Sequence, residues 1–171
     1  MPILFIVLIF VFWLGYELRK SNRKSSSSSE AFWQQEHDAF LTPRKSIEDV
    51  AFVTVPAEVI PDEILDADTD ILREINLLSD RMRSLADCQI ADLSGYTNTE
   101  LRLKYGAPNF TMLSNADNCF SDLTVTVSKL LPLLIEAGMA DSAEKLCRFA
   151  LSSGLDTRAI RSAADSLGIG K

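Results

Sequence analysis

The feature that most constrains this chain is its first 18 residues. Fifteen of them are hydrophobic, and the first charge is Glu17. Seventeen helical residues at ~1.5 Å rise cover about 25 Å, the short end of what crosses a hydrocarbon core. A run this apolar is buried in lipid, buried in protein or removed. A cleaved leader needs a basic start and a small-residue cleavage site. No Lys or Arg precedes the run, and Trp13, Leu14, Tyr16, Glu17 and Leu18 are too large for a cleavage site. Residues 2–18 are therefore read as an uncleaved transmembrane anchor. Trp13 and Tyr16 near its end suit a membrane interface.

The charges that follow orient the anchor. Arg19, Lys20, Arg23 and Lys24 form a basic collar just after the span, and basic flanks stay cytoplasmic. The expectation is a single-pass protein of the cell membrane, with the N-terminus outside and residues 19–171 in the cytoplasm. The alternative is an exported helical protein whose head is cleaved. Beyond the collar, 13 basic residues face 23 acidic ones, a net of −10. Such a body repels phosphate backbones, so no nucleic-acid partner is expected. Cys88, Cys119 and Cys147 are odd in number, with no metal-ligand or redox-motif spacing, and read as reduced core thiols.

Residues 19–30, with the serine run Ser25–Ser29, read as a flexible linker. The segment 31–61 follows. Across its start, Glu30–Leu41 predicts a short amphipathic helix carrying Phe32, Trp33, Phe40 and Leu41 on one side. It either lies in the bilayer interface or, as is favoured here, docks on the body through those aromatics or serves as a mobile spacer. Its acidic Glu30, Glu36 and Asp38 weigh against the interface, which favours Lys and Arg. Pro43 closes it. Ile47–Pro61, rich in Val and Ile and bounded by prolines, reads as an extended apolar strap with a short strand over Phe52–Val55 and no sheet to join.

From residue 62 the period becomes helical. Ile71, Ile75, Leu78, Met82 and Leu85 step by three and four, after a cap at Asp68 or Thr69. Thr97 and Glu100 fit a capping box that opens a two-turn helix. Phe120, Leu123, Val127, Leu130 and Leu134 define the longest helix, predicted over 115–137, with Pro132 inside it as a source of a kink. Asp141 is expected to cap the next helix and Asp156 the last.

Gly138, Ala143 and Ala150 are spaced as in the second half of a tetratricopeptide repeat, and residues 116–167 resemble such a helical hairpin followed by a capping helix. Leu131 and Cys147 depart from the pattern, standing where a small and an aromatic residue are usual. The resemblance implies close packing of two antiparallel helices at the small residues, and a protein partner rather than a ligand. The layout as a whole is similar to that of small single-span bacterial membrane proteins.

Chemistry is sparse in the pattern. His37 is the only histidine, which leaves no catalytic dyad to build. The terminal Gly168–Lys171 lacks the strand, the Ser/Thr and the helix of a phosphate loop. Asp62, Glu63, Asp66, Asp68 and Asp70 lack the glycine and distal Glu of a calcium loop. No catalytic residue, cofactor or metal site is expected. The reading is an all-α fold: an N-terminal transmembrane helix, an extended strap, and a helical domain over 62–171. Its expected function is non-enzymatic, as a membrane-anchored protein-interaction module or a small subunit of a membrane complex. An enzyme or sensor would instead show convergent polar groups, for instance around Tyr96, Tyr105 and Asp117.

Overall fold

The structure, a computed structural model, describes residue 13 and residues 29–65 and 67–169. The anchor at 2–18, the linker at 19–30 and the collar of Arg19, Lys20, Arg23 and Lys24 thus lie outside the described residues, with three exceptions. Trp13 is helical and exposed, and residues 29 and 30 are already helical. The described residues divide into two compact units. The larger holds 46–96 and 110–169, and the smaller holds 29–45 together with 97–109.

The larger unit is built on one long helix. Its elements in chain order are β1 (Phe52–Val53), a 3-10 turn (Ala57–Val59), α2 (Asp70–Ala86), β2 (Ile90–Ala91), α4 (Phe110–Glu136), α5 (Ala140–Ser152) and α6 (Arg158–Leu167). The smaller unit holds α1 (residues 29–41), α3 (Asn98–Tyr105) and a 3-10 turn at Ala107–Asn109. The chain is mostly helical, with little sheet.

Helix α4 is the hub because its apolar residues recur around more than one face. It packs against α2, β2, α5 and α6. Leu123, Val127, Leu130, Leu131 and Leu134 are fully buried there, facing Ile75 and Met82 of α2, Leu146 and Ala150 of α5, and Ile160 of α6 in one continuous core. Burying a side chain of this size stabilises by about 1.5–3 kcal/mol. The run Ala107–Glu136 is long and apolar enough to cross a membrane by length and composition. Its apolar stripes are occupied by neighbouring helices, as in the core helix of a globular unit.

The helix ends show where local sequence decides and where it does not. Thr69 caps α2, its hydroxyl accepting from the Leu72 amide at 3.3 Å. Thr97 and Glu100 form the full capping box of α3. The other two predicted caps are corrected. Helix α5 begins at Ala140 with Met139 in the cap position and no side-chain cap, so Asp141 sits inside the first turn. Helix α6 is capped by Thr157, whose hydroxyl accepts from Ile160, while the Asp156 carboxylate is taken by Arg161. Helix α4 also starts five residues earlier than the pattern indicates, because the turn at Ala107–Asn109 leads straight into it. It runs unbroken through Pro132. The amide that proline lacks would have reached the Ser128 carbonyl.

The strap is not a lone strand. β1 pairs antiparallel with β2, Phe52 opposite Ala91 and Val53 opposite Ile90. β2 lies in a stretch that reads as mere connection, so the sequence offers no partner for β1. Beyond β1 the strap does lie on the helices: Val55 and Val59 enter the core. Asn76 clamps the chain just past the strap with two hydrogen bonds, its amide donating to the Ile64 carbonyl at 2.8 Å and its oxygen accepting from the Ile64 amide at 2.9 Å. Arg83 donates to the Pro61 carbonyl at 2.8 Å.

Candidate functional site

The α4–α5 hairpin is where the repeat-like residues meet the structure. Gly138, at φ +74°, closes α4: the Met139 amide reaches back to the Leu134 carbonyl and the Gly138 amide to that of Ile135. This six-to-one and five-to-two pair needs a left-handed residue, which glycine supplies without a Cβ clash. The chain reverses, and α5 runs back along α4. Ala143 and Ala150 are fully buried on α5. Helix α6 then packs on both α4 and α5. Leu131 and Cys147, the two departures from the repeat pattern, are also fully buried. Burial pushes the Cys147 thiol above its ordinary range, opposed by the charge of Arg148.

A recess of about 640 Å³ opens beside this hairpin. Pro56, Glu58 and Val59 of the strap form one wall, and Lys145, Arg148, Phe149 and Ser152 of α5 form the other. The floor is apolar, since Phe149 and Val59 are nearly buried. The rim carries both signs of charge. Arg148 is bound to Glu144 one turn away at 2.7 Å, which leaves Lys145 and Glu58 as the rim charges without that pairing. A second, smaller cavity of about 250 Å³ lies between Pro132 and Ile135 of α4 and Ala159, Ser162, Ala163 and Ser166 of α6. Neither cavity is lined by Tyr96, Tyr105 or Asp117. Tyr105 is buried, Tyr96 is partly exposed, and Asp117 accepts the Leu93 amide at 2.8 Å. That hydrogen bond ties the end of the β2 segment to α4.

Polar contacts join α1, α3 and the chain around Lys45 in the smaller unit, where Ala39, Leu101 and Tyr105 are also buried. Glu36 of α1 accepts from the Thr99 hydroxyl and lies 3.9 Å from the Arg102 guanidinium, with both charged side chains mostly shielded. Arg102 also stacks over the Phe40 ring, 4.3 Å from its centroid. Asn109, nearly buried, donates to the carbonyls of Lys45 at 2.9 Å and Tyr105 at 2.8 Å. Lys45 in turn donates to Leu103 at 2.7 Å. Gly106, at φ +90°, lets the backbone of Pro43 come close: a Cβ there would sit 2.2 Å from the Pro43 oxygen. Docking of α1 thus runs through Glu36, Ala39 and Phe40, not through the aromatic side as a whole. Phe32, Trp33 and Leu41 stay 54, 67 and 68% exposed, and Phe40 59%. His37 is exposed too.

Two thiols meet that spacing kept apart. Cys119 of α4 lies near enough to Cys88, the residue that follows α2 and its cap, for the two thiols to influence each other, while the Cys88 thiol donates to the Ser84 carbonyl at 3.6 Å. Burial first, then the Cys88 contact and the Asp122 charge, raise the Cys119 thiol. The flanks show how the fold brings them together. Arg81 bridges to Asp122 at 2.5 Å on one side, and Asp117 holds Leu93 on the other. Among the described residues, no three His, Cys, Asp or Glu side chains gather as a metal site would need. Asp70 opens α2 and pairs with Arg73, and Asp66 is outside the described residues. Sequence reasoning missed the Glu36–Thr99–Arg102 cluster, the Asn76 clamp and the Cys88–Cys119 pair. Each joins segments with no shared local pattern. Comparison of the chain with family models, with curated proteins and with solved structures finds no match.

Proposed function

We propose that this chain is a non-enzymatic, membrane-anchored interaction module whose helical body faces the cytoplasm. The anchor rests on the apolar residues 2–18 and the topology on the basic collar at 19–24. The body's role rests mainly on the recess along α5. An apolar floor with a charged rim, on the outer face of a repeat-like hairpin, suits a segment of polypeptide better than a small polar substrate. Gly138, Ala143 and Ala150 support the hairpin reading, since small residues let α4 and α5 approach. The packing of α6 on both helices is what a capping helix of such an array would do. One and a half repeats offer a short surface, so the partner engages a face rather than a long groove.

The test places a photo-crosslinking residue at Lys145 or Ser152 in cells, with Leu77, 69% exposed on α2, as the control position. The expected result is one discrete adduct from both recess positions and none from Leu77. A reporter fused at Lys171 is expected to be active only on the cytoplasmic side. No adduct, together with a native membrane extract in which the chain sediments alone, overturns the proposal.

A further inference from the structure

The geometry points to a second membrane contact: the uncovered aromatic face of α1 lies in the lipid interface next to the anchor. This inference rests on the reading of residues 2–18 as a membrane span. Four large apolar side chains on a helix of 13 described residues, Phe32, Trp33, Phe40 and Leu41, are each more than half exposed. Phe32 and Trp33 also pack edge to face at 5.6 Å, which makes one aromatic pair at the start of the helix. Isolated exposed apolar residues are ordinary, but four on one short helix, two of them in ring contact, mark a surface that something covers.

Three observations select lipid as that cover. The first is chain length. Only ten residues separate Leu18 from residue 29, and fully extended they reach at most about 35 Å. A helix tethered so closely meets the bilayer at high effective concentration, whatever else the cell contains. The second is residue type. Trp and Phe with a flanking Leu are the side chains that partition into the headgroup and acyl boundary. The third concerns charge. The objection to an interfacial helix is its acidity, and the structure removes part of it. Glu36 is turned into the smaller unit, bound by Thr99 and facing Arg102, so it does not confront the membrane as a free carboxylate. The helix holds no Lys or Arg between 29 and 41. The contact is therefore apolar in origin, and it needs neither anionic lipid nor low salt.

The experiment uses the full chain carrying Trp13→Phe, which leaves Trp33 as the single tryptophan. The protein is reconstituted in vesicles of zwitterionic phospholipid, with and without acyl chains brominated near the headgroup. The expected result is flotation with the vesicles, a blue-shifted Trp33 emission, and quenching by the brominated lipid that persists at high salt. In a Phe32→Ser/Leu41→Ser variant the chain still floats but quenching is lost. Both changes lie outside the Glu36, Thr99 and Arg102 contacts, and an unchanged far-ultraviolet circular dichroism spectrum verifies the fold. Flotation with unquenched, unshifted Trp33 overturns the inference and leaves the anchor standing. Shielding of Trp33 that depends on protein concentration and not on brominated lipid assigns the face to a second copy, and overturns it too. Failure to float overturns both the inference and the anchor.

Discussion

The two units of this molecule are held together by different physics. In the larger one, α4 collects apolar side chains from α2, α5, α6 and the strap, and the fully buried Leu, Ile and Val residues dominate. In the smaller one, the visible fasteners are a carboxylate, a hydroxyl, a guanidinium and an amide between α1, α3 and the chain around Lys45. Phe32, Trp33, Phe40 and Leu41 of α1 remain more than half exposed, while Leu101 and Tyr105 of α3 are buried. Hydrophobic burial is non-directional and large, so a unit built on it tolerates poor detail. A hydrogen-bonded clasp contributes about 0.5–1.5 kcal/mol per bond and depends on geometry, so it is specific but easily opened. The larger unit thus has the features of a scaffold, while the contacts described in the smaller one are more directional.

The sharpest contrast comes from one deletion in the scaffold. Leu130→Ala empties a fully buried position in the hub helix and is expected to cost about 2–5 kcal/mol. Chemical denaturation followed by circular dichroism checks it. A loss well below this range would mean that α4 is not the hub. Gly106→Ala is the matching blow to the clasp. The added methyl meets the Pro43 oxygen and the Arg44 Cα at a left-handed position, for about 1–3 kcal/mol. Hydrogen exchange is expected to rise over 29–45 and 97–109 while the amides of α4 and α5 keep their protection. Equal loss of protection in both would erase the distinction between the units.

A smaller and opposite effect is expected inside the scaffold. The Ser79 hydroxyl is fully buried on α2 without a hydrogen-bond partner. Ser79→Ala removes an unsatisfied polar atom while keeping the close helix approach, and is expected to stabilise by about 1 kcal/mol. A lowered melting temperature would show that the hydroxyl is bonded after all. The mildest test uses the thiols. Burial raises both Cys119 and Cys147, so both stay neutral to higher pH than an ordinary thiol. Their alkylation is expected to lag that of the exposed Cys88 and to accelerate as pH rises. The sign for stability follows. A raised thiol favours the fold below the unfolded thiol value, and that contribution is lost as pH rises through the folded one. Mass spectrometry of timed alkylation reads the order, and Cys147 reacting first would contradict a closed scaffold.

Much of the scaffold is legible in the sequence because its signals are local. The stripe at Ile75, Met82 and Leu85 is buried as its period indicates, and the stripe of α4 likewise. Thr69 and the Thr97–Glu100 box cap helices because capping involves residues three apart. Asp141 and Asp156 show the limit of that logic. An acidic residue near a helix start fits both a cap and a first-turn position, and the backbone around Gly138 and Thr157 decides which. The site residues fared differently. Gly138, Ala143 and Ala150 were singled out by their resemblance to a tetratricopeptide repeat, but nothing around Ile90 announces a strand, and nothing around Glu36 announces Thr99, 63 residues away.

By itself the sequence determined an apolar head whose one charged side chain is Glu17, a basic collar, an acidic body and the helical periods of the body's main elements. These depend on composition and on neighbours within a turn or two, which the chain carries in any conformation. Only the tertiary structure decided that β1 has a partner, that Asn76 fastens the chain just past the strap, that Cys88 comes near Cys119 and that α3 groups with α1. It also decided that Phe32, Trp33 and Leu41 stay uncovered while Glu36 turns inward. The reason is physical: amphipathicity states that a face must be covered, but not by what. That choice is made by contacts between segments far apart in the chain, whose energies exist only once the backbone has brought them together.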